Sequence, residues 1–199
     1  MNTIFSLENK VLGRLDAISA TRTFRNLLWC EAWRSGLSPH RAVISLRTNV
    51  SDGGIDARVD GSPTVDSVLV RGMTYFQVKS GDVFKPWQLG LLKKELFGSP
   101  KAKPSRDTLA PGIRTCLQAR GRYVIITFGQ DLTPEQHTKT KGALVELLKA
   151  CGYKNPRVGV LGQGQLLGLI TLFPSLALEL LGRNGLPFHS FDTGRHETT

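Results

Sequence analysis

Apolar residues along this chain change their period several times, and each change marks an element. From Thr21 to Ser35 the period is helical: Phe24, Leu27 and Leu28 fall at i, i+3 and i+4, and Gly36 supplies a stop. Glu31, at i+7, shares that apolar face, where a charged side chain is unusual. Residues 12–20 read as a short lead-in helix. Period two then takes over. Residues 42–48 mix apolar and polar positions, and Ile55, Ala57 and Val59 alternate with Asp56, Arg58 and Asp60. In the strand expected over 74–79, Gln77 and Lys79 share one side while Phe76 and Val78 share the other. Gly53-Gly54 predicts a tight turn just before Ile55, and residues 68–70 form an edge strand or a loop.

Helical spacing returns over 86–97 and, interrupted near Pro111, over 108–119. Residues 122–128 are the most apolar strand of the chain. Thr133-Pro134-Glu135-Gln136 predicts a helix start with a reciprocal threonine–glutamine cap, and that helix runs to about Cys151 and stops at Gly152. A last strand over 157–161, a core helix over 163–172 and a helical turn or two over 175–181 complete the order. Three strands joined by turns imply an antiparallel portion; strands separated by helices imply a parallel portion covered on both faces. The expectation is an α/β fold with a mixed central sheet, as one domain over 1–182, with 183–199 opening a linker.

Composition narrows the function. The 199 residues, 40% hydrophobic and 21% charged, suit a globular chain with a core of ordinary size. Lys plus Arg number 26 against 16 Asp plus Glu, a net charge of +10, which favours a polyanionic partner. Cys30, Cys116 and Cys151 lie far apart, which suits a reducing cytoplasm and excludes a clustered zinc site. No apolar run approaches the roughly 18–20 residues of a membrane helix, and no signal peptide or membrane partner is expected. No phosphate-binding Gly-x-x-x-x-Gly-Lys-Ser/Thr occurs, so no ATP site is expected in this stretch. The four histidines lack zinc-ligand spacing. Lys93, Lys94, Lys101, Lys103 and Arg106 follow the Gln77/Lys79 strand as a basic stretch, either a solvated face or a set of phosphate contacts.

Cleaving a phosphodiester takes a metal that polarises the phosphate, an activated water, and positive charge on the developing oxyanion. Magnesium takes hard oxygen ligands and keeps several waters. Asp56 is the principal candidate ligand, with the Gln77 side-chain oxygen and the Val78 carbonyl beside it. Lys79 would orient the water or neutralise the phosphate, and Glu31 would ligate through water or hold a second metal. Each residue also has an ordinary role. Asp52 and Asp56 suit turns, Gln77 and Lys79 suit the open face of an edge strand, and Glu31 suits an ion pair on its helix. The combination is less common than its parts.

Asp56 preceded by Gly53-Gly54-Ile55, followed one hairpin later by Gln77-Val78-Lys79, resembles the PD-(D/E)xK restriction-endonuclease-like superfamily in its Mrr-like branch. There the metal-binding acid often follows Gly-Gly and the second motif is Gln-x-Lys. The resemblance covers residues 20–130 and implies an αβββαβ core, a Mg²⁺- or Mn²⁺-dependent endodeoxyribonuclease acting on double-stranded DNA, and catalytic roles for Asp56, Gln77, Lys79 and the helix glutamate, Glu31. In that branch the helix acid commonly follows a phenylalanine directly, whereas Arg25 follows Phe24 here. Residues 123–128, 132–136 and 173–176 are similar to the nuclease module at the front of antiviral STAND NTPases. That similarity implies a cytoplasmic anti-phage effector, homo-oligomeric when active, with NTPase and sensor domains downstream. The alternative is a catalytically inactive nuclease-fold module that binds DNA or a protein partner, which glutamine in place of glutamate favours.

Overall fold

The computed structural model describes residues 9–46 and 53–182. After α1 (Asn9–Gly13), Asp16 sets the first long helix: its carboxylate accepts from the Ser19 amide at 2.6 Å, so α2 spans Ala17–Arg34. The break therefore falls before Ala17 and not at Thr21, because the capping carboxylate starts the helix earlier than the apolar period does. A single 3₁₀ turn at Pro39–Arg41 leads into β1 (Ala42–Ile44), followed by β2 (Ala57–Gly61) and β3 (Gly72–Lys79). Helices α3 (Leu89–Phe97) and α4 (Pro111–Gln118) precede β4 (Arg122–Thr127). The chain continues with α5 (Pro134–Ala150), β5 (Arg157–Leu161), α6 (Gln163–Thr171) and α7 (Pro174–Gly182).

The five strands form one open sheet in sequence order. β1, β2 and β3 pair antiparallel, and β3, β4 and β5 pair parallel, so the sheet is mixed as expected. Its two faces carry separate cores. Phe76 packs with Phe24, Leu28, Val124 and Ile126 beneath α2, α6 and α7, and the Phe24 and Phe76 rings meet edge to face at 5.2 Å. Tyr75, Tyr123 and Ile125 face the other way, onto Leu92, Leu96, Ile113, Leu144 and Leu148 of α3, α4 and α5. Burying each such side chain stabilises the fold by about 1.5–3 kcal/mol relative to leaving it in water. The molecule is thus α/β, with helices on both faces of the sheet.

Residues 68–70 form a loop and no strand, because side chains satisfy their amides: Leu69 N donates to Ser67 Oγ and Val70 N to Thr74 Oγ1. The helix expected over 108–119 begins only at Pro111, which lacks an amide hydrogen and suits the first turn. Thr133 and Gln136 form the reciprocal cap read from the sequence. The strand expected over 42–48 ends at Ile44, with Ser45 and Leu46 already outside it, while residues 47–48, the turn residue Asp52 and the linker over 183–199 lie outside the described residues. No single helix among the described residues is long and apolar enough to cross a membrane.

Candidate active site

The Gly-Gly turn delivers Asp56 to β3. Gly53 and Gly54 hold φ of +70° and +85°, a region that side chains rarely adopt. A Cβ on Gly53 would also lie 2.8 Å from the Gly112 nitrogen, whose amide donates to the Gly53 carbonyl at 2.9 Å. The turn is therefore clamped against the first turn of α4. Immediately after it, Asp56 N donates to Phe76 O at 2.9 Å, and the Asp56 carboxylate accepts from Val78 N at 2.6 Å. The Ala57–Phe76 register makes this possible, since it sets Asp56 beside Gln77.

Gln77 and Lys79 share the α3/α4 face of β3, as period two requires. Gln77 is only 2% exposed, so its amide must be satisfied within the protein. Tyr123 of β4 does part of this. Burial, reinforced by the negative charges of Glu95 and Asp56, pushes its phenol well above the usual tyrosine range. The phenol stays protonated and donates to Gln77 Oε1. Gln77 Nε2 is thereby turned to Glu95 of α3 and donates to its Oε1. The same Oε1 lies 2.5 Å from Lys79 Nζ. A continuous polar chain, Tyr123 to Gln77 to Glu95 to Lys79, links β4, β3 and α3.

Asp56, Gln77, Lys79 and Glu95 line one cleft of about 500 Å³, with Ala110 and Arg114 of the α4 segment on its border. The chain matches no known family model, no curated protein and no solved structure.

Sequence reasoning missed Glu95, although a signal was present. Glu95 lies three residues after the buried Leu92 and next to the buried Leu96, at the border of α3's apolar face. The same kind of placement had singled out Glu31. The structure gives Glu31 a different role. It is fully buried, accepts from Arg34 Nε at 2.8 Å and Nη2 at 2.7 Å, and takes a third bond from Ser67 Oγ at 2.7 Å. These partners tie the end of α2 to the loop before β3, whereas Lys79 ends that strand. Glu31 accordingly does not line the cleft. Val78 enters the site through its backbone, by donating its amide to Asp56, while its side chain packs in the α2 core.

The basic stretch also divides. Arg106 is committed to the Cys151 and Gly152 carbonyls and covers the Tyr153 ring at 5.1 Å. Arg114, which sequence reading passed over, lines the cleft, with Nη2 on the Leu109 carbonyl at 3.3 Å and a buried Nε that has no hydrogen-bond partner.

The donor set suits a hard divalent cation. Asp56 and Glu95 supply carboxylates, and Gln77 Oε1 retains a second lone pair after accepting from Tyr123. Glu95 engages Lys79 and Gln77 through Oε1, and its Oε2 has no protein hydrogen bond among the described residues. No group of three or more His, Cys, Asp or Glu side chains poised for a metal occurs among the described residues. An ion here would keep several waters, as magnesium does.

Proposed function

We propose that this chain is a metal-dependent endodeoxyribonuclease domain of the PD-(D/E)xK, Mrr-like kind, serving as an effector in bacterial anti-phage defence. One observation carries the reading: Asp56, just before β2, and Gln77 and Lys79 of the neighbouring β3 share a cleft with Glu95 from the next helix. The five-stranded mixed sheet, with a helix before its three antiparallel strands, fits the αβββαβ core of that superfamily.

Asp56, Glu95 and the Gln77 oxygen are the residues that would hold Mg²⁺ or Mn²⁺. When bound, the ion supplies Lewis acidity at a phosphoryl oxygen and lowers the pKa of water in its shell. The chain's own residues do the rest. Tyr123 and Glu95 fix the Gln77 amide, its oxygen on the phenol and its Nε2 on the carboxylate, and the Val78 amide holds the Asp56 carboxylate in place. Lys79, restrained by Glu95, places positive charge where a phosphate gains negative charge in the transition state. Water adds to phosphorus as the bond to the leaving sugar oxygen breaks, and that oxygen takes a proton from solvent. A net charge of +10 draws the polyanionic substrate to the protein.

The test is conversion of supercoiled plasmid to nicked and linear forms with Mg²⁺ or Mn²⁺. Wild type should cleave, while EDTA or Asp56→Ala should abolish cleavage. Wild-type protein that binds plasmid without metal-dependent cutting would overturn the reading. That outcome would favour a catalytically silent DNA-binding module, the alternative raised by an amide at position 77 in place of a carboxylate.

A further inference from the structure

A second cavity, of about 560 Å³, opens at the far end of α4, where Leu117, Arg120, Tyr153, Lys154 and Arg157 line it. Its charges are unbalanced. Among the described residues no carboxylate pairs with Arg120, Lys154 or Arg157. Arg157 reaches only the Arg71 carbonyl, at 3.4 Å. Neighbouring Arg122 is held below the usual guanidinium range, first by burial and then by the charge of Arg157. The Tyr153 hydroxyl is buried without a hydrogen-bond partner. Three exposed cations with no counter-charge among the described residues describe a site for an oxyanion.

The backbone at Arg120 adds an independent observation. Arg120 has φ +53°, and it is the only non-glycine residue with positive φ among the described residues. Its amide donates to Leu117 O at 3.1 Å, and the Gly121 amide donates to Cys116 O at 2.8 Å. These two bonds close α4 by a motif whose left-handed position is normally glycine. Here the glycine comes one residue later, and an exposed arginine sits in the strained position. Nothing in helix termination calls for that side chain. It does place a guanidinium on the cavity.

We propose that this pocket binds a backbone phosphate of the same DNA strand that enters the cleft. The inference rests on the DNA reading given above. Helix α4 joins the two sites: Pro111 and Arg114 line the cleft, and Leu117 lines the pocket. Its eight residues span about 12 Å at 1.5 Å per residue. One short duplex is long enough to reach both sites at that separation.

The experiment is fluorescence anisotropy of a short duplex titrated with protein in EDTA at several salt concentrations. Lys154→Ala/Arg157→Ala should weaken binding about tenfold and lower the salt slope by about 2. Arg120→Gly should raise the thermal midpoint, by relieving the backbone, while weakening binding and lowering the slope by about 1. Affinity and slope unchanged in these variants would overturn the proposal. So would pyrophosphate that stabilises wild type but not the variants while duplex affinity stays the same, since the pocket would then hold a small phosphate ligand. The two readings fail separately. Variants that bind like wild type, in a protein whose cutting is lost in Asp56→Ala, sink only the pocket. Pocket-dependent binding without any cutting sinks only the nuclease.

Discussion

The Glu95 oxygen that holds Lys79 at 2.5 Å also accepts the Gln77 amide, so one carboxylate atom orders both motif residues. Lys79→Ala leaves the cleft but removes its ammonium. Nicking is expected to fall by at least about 100-fold, with duplex affinity kept within a few fold. Metal-dependent nicking retained in that variant would remove Lys79 from the chemistry. Glu95→Gln keeps the shape but breaks the ion pair, and it should depress nicking as strongly.

Metal binding has a readout apart from activity. An ion that binds only the folded state stabilises it by about 2.7 kcal/mol at a hundred times its Kd. Mg²⁺ or Mn²⁺ should therefore raise the thermal midpoint of wild type and leave Asp56→Ala unmoved. An equal rise in both proteins would place the ion away from Asp56.

Tyr123 acts on the site through Gln77. Tyr123→Phe keeps the buried ring and deletes the donor to Gln77 Oε1. The expected loss of stability is about 1–3 kcal/mol, because a buried acceptor is left unsatisfied. Nicking should fall further than the folded fraction does, as the amide loses its fixed orientation. Urea midpoints and nicking measured on one preparation check this, and unchanged nicking would mean that the phenol does not orient the amide.

Glu31 gives the opposite result. Glu31→Ala removes three hydrogen bonds from the end of α2, while Arg34 keeps the Asp66 carbonyl and Ser67 keeps Ser35 and the Leu69 amide, and it should destabilise the fold by about 1–3 kcal/mol. At a temperature where the variant is folded, nicking per folded molecule should match wild type. A selective loss of nicking with stability intact would return Glu31 to the site.

Alkaline pH should unfold the protein through groups buried in their neutral form. Burial raises the Cys116 thiol from 9.0 to about 12, and the Tyr123 phenol is raised as well. The unfolded chain loses these protons first. Their contribution is therefore complete below pH 9 and is lost progressively as pH rises through 9 toward 12. Urea midpoints should fall steeply across that window, and Cys116→Ala should fall less steeply. A midpoint independent of pH there would contradict the assignment.

Much of the framework was legible because it follows local rules. Period two predicted that Gln77 and Lys79 share a face, glycine freedom predicted the turn before Asp56, and the Thr133 cap appeared where its residues stood. Two local signals went unused. Asp16 is a capping residue, and Arg34 stands three residues after Glu31, at ion-pair spacing.

The sequence alone determined which residues share each strand face and where the chain turns, because such relations involve near neighbours along one backbone. Only the tertiary structure decided that Asp56 meets the Val78 amide, that Glu95 swings in from α3 to hold Lys79, and that Tyr123 reaches across from β4 to orient Gln77. Those contacts depend on strand register and helix docking. A slip of one residue in β2 would turn Asp56 to the opposite face, and the energies that prevent it come from two buried cores and from no single segment.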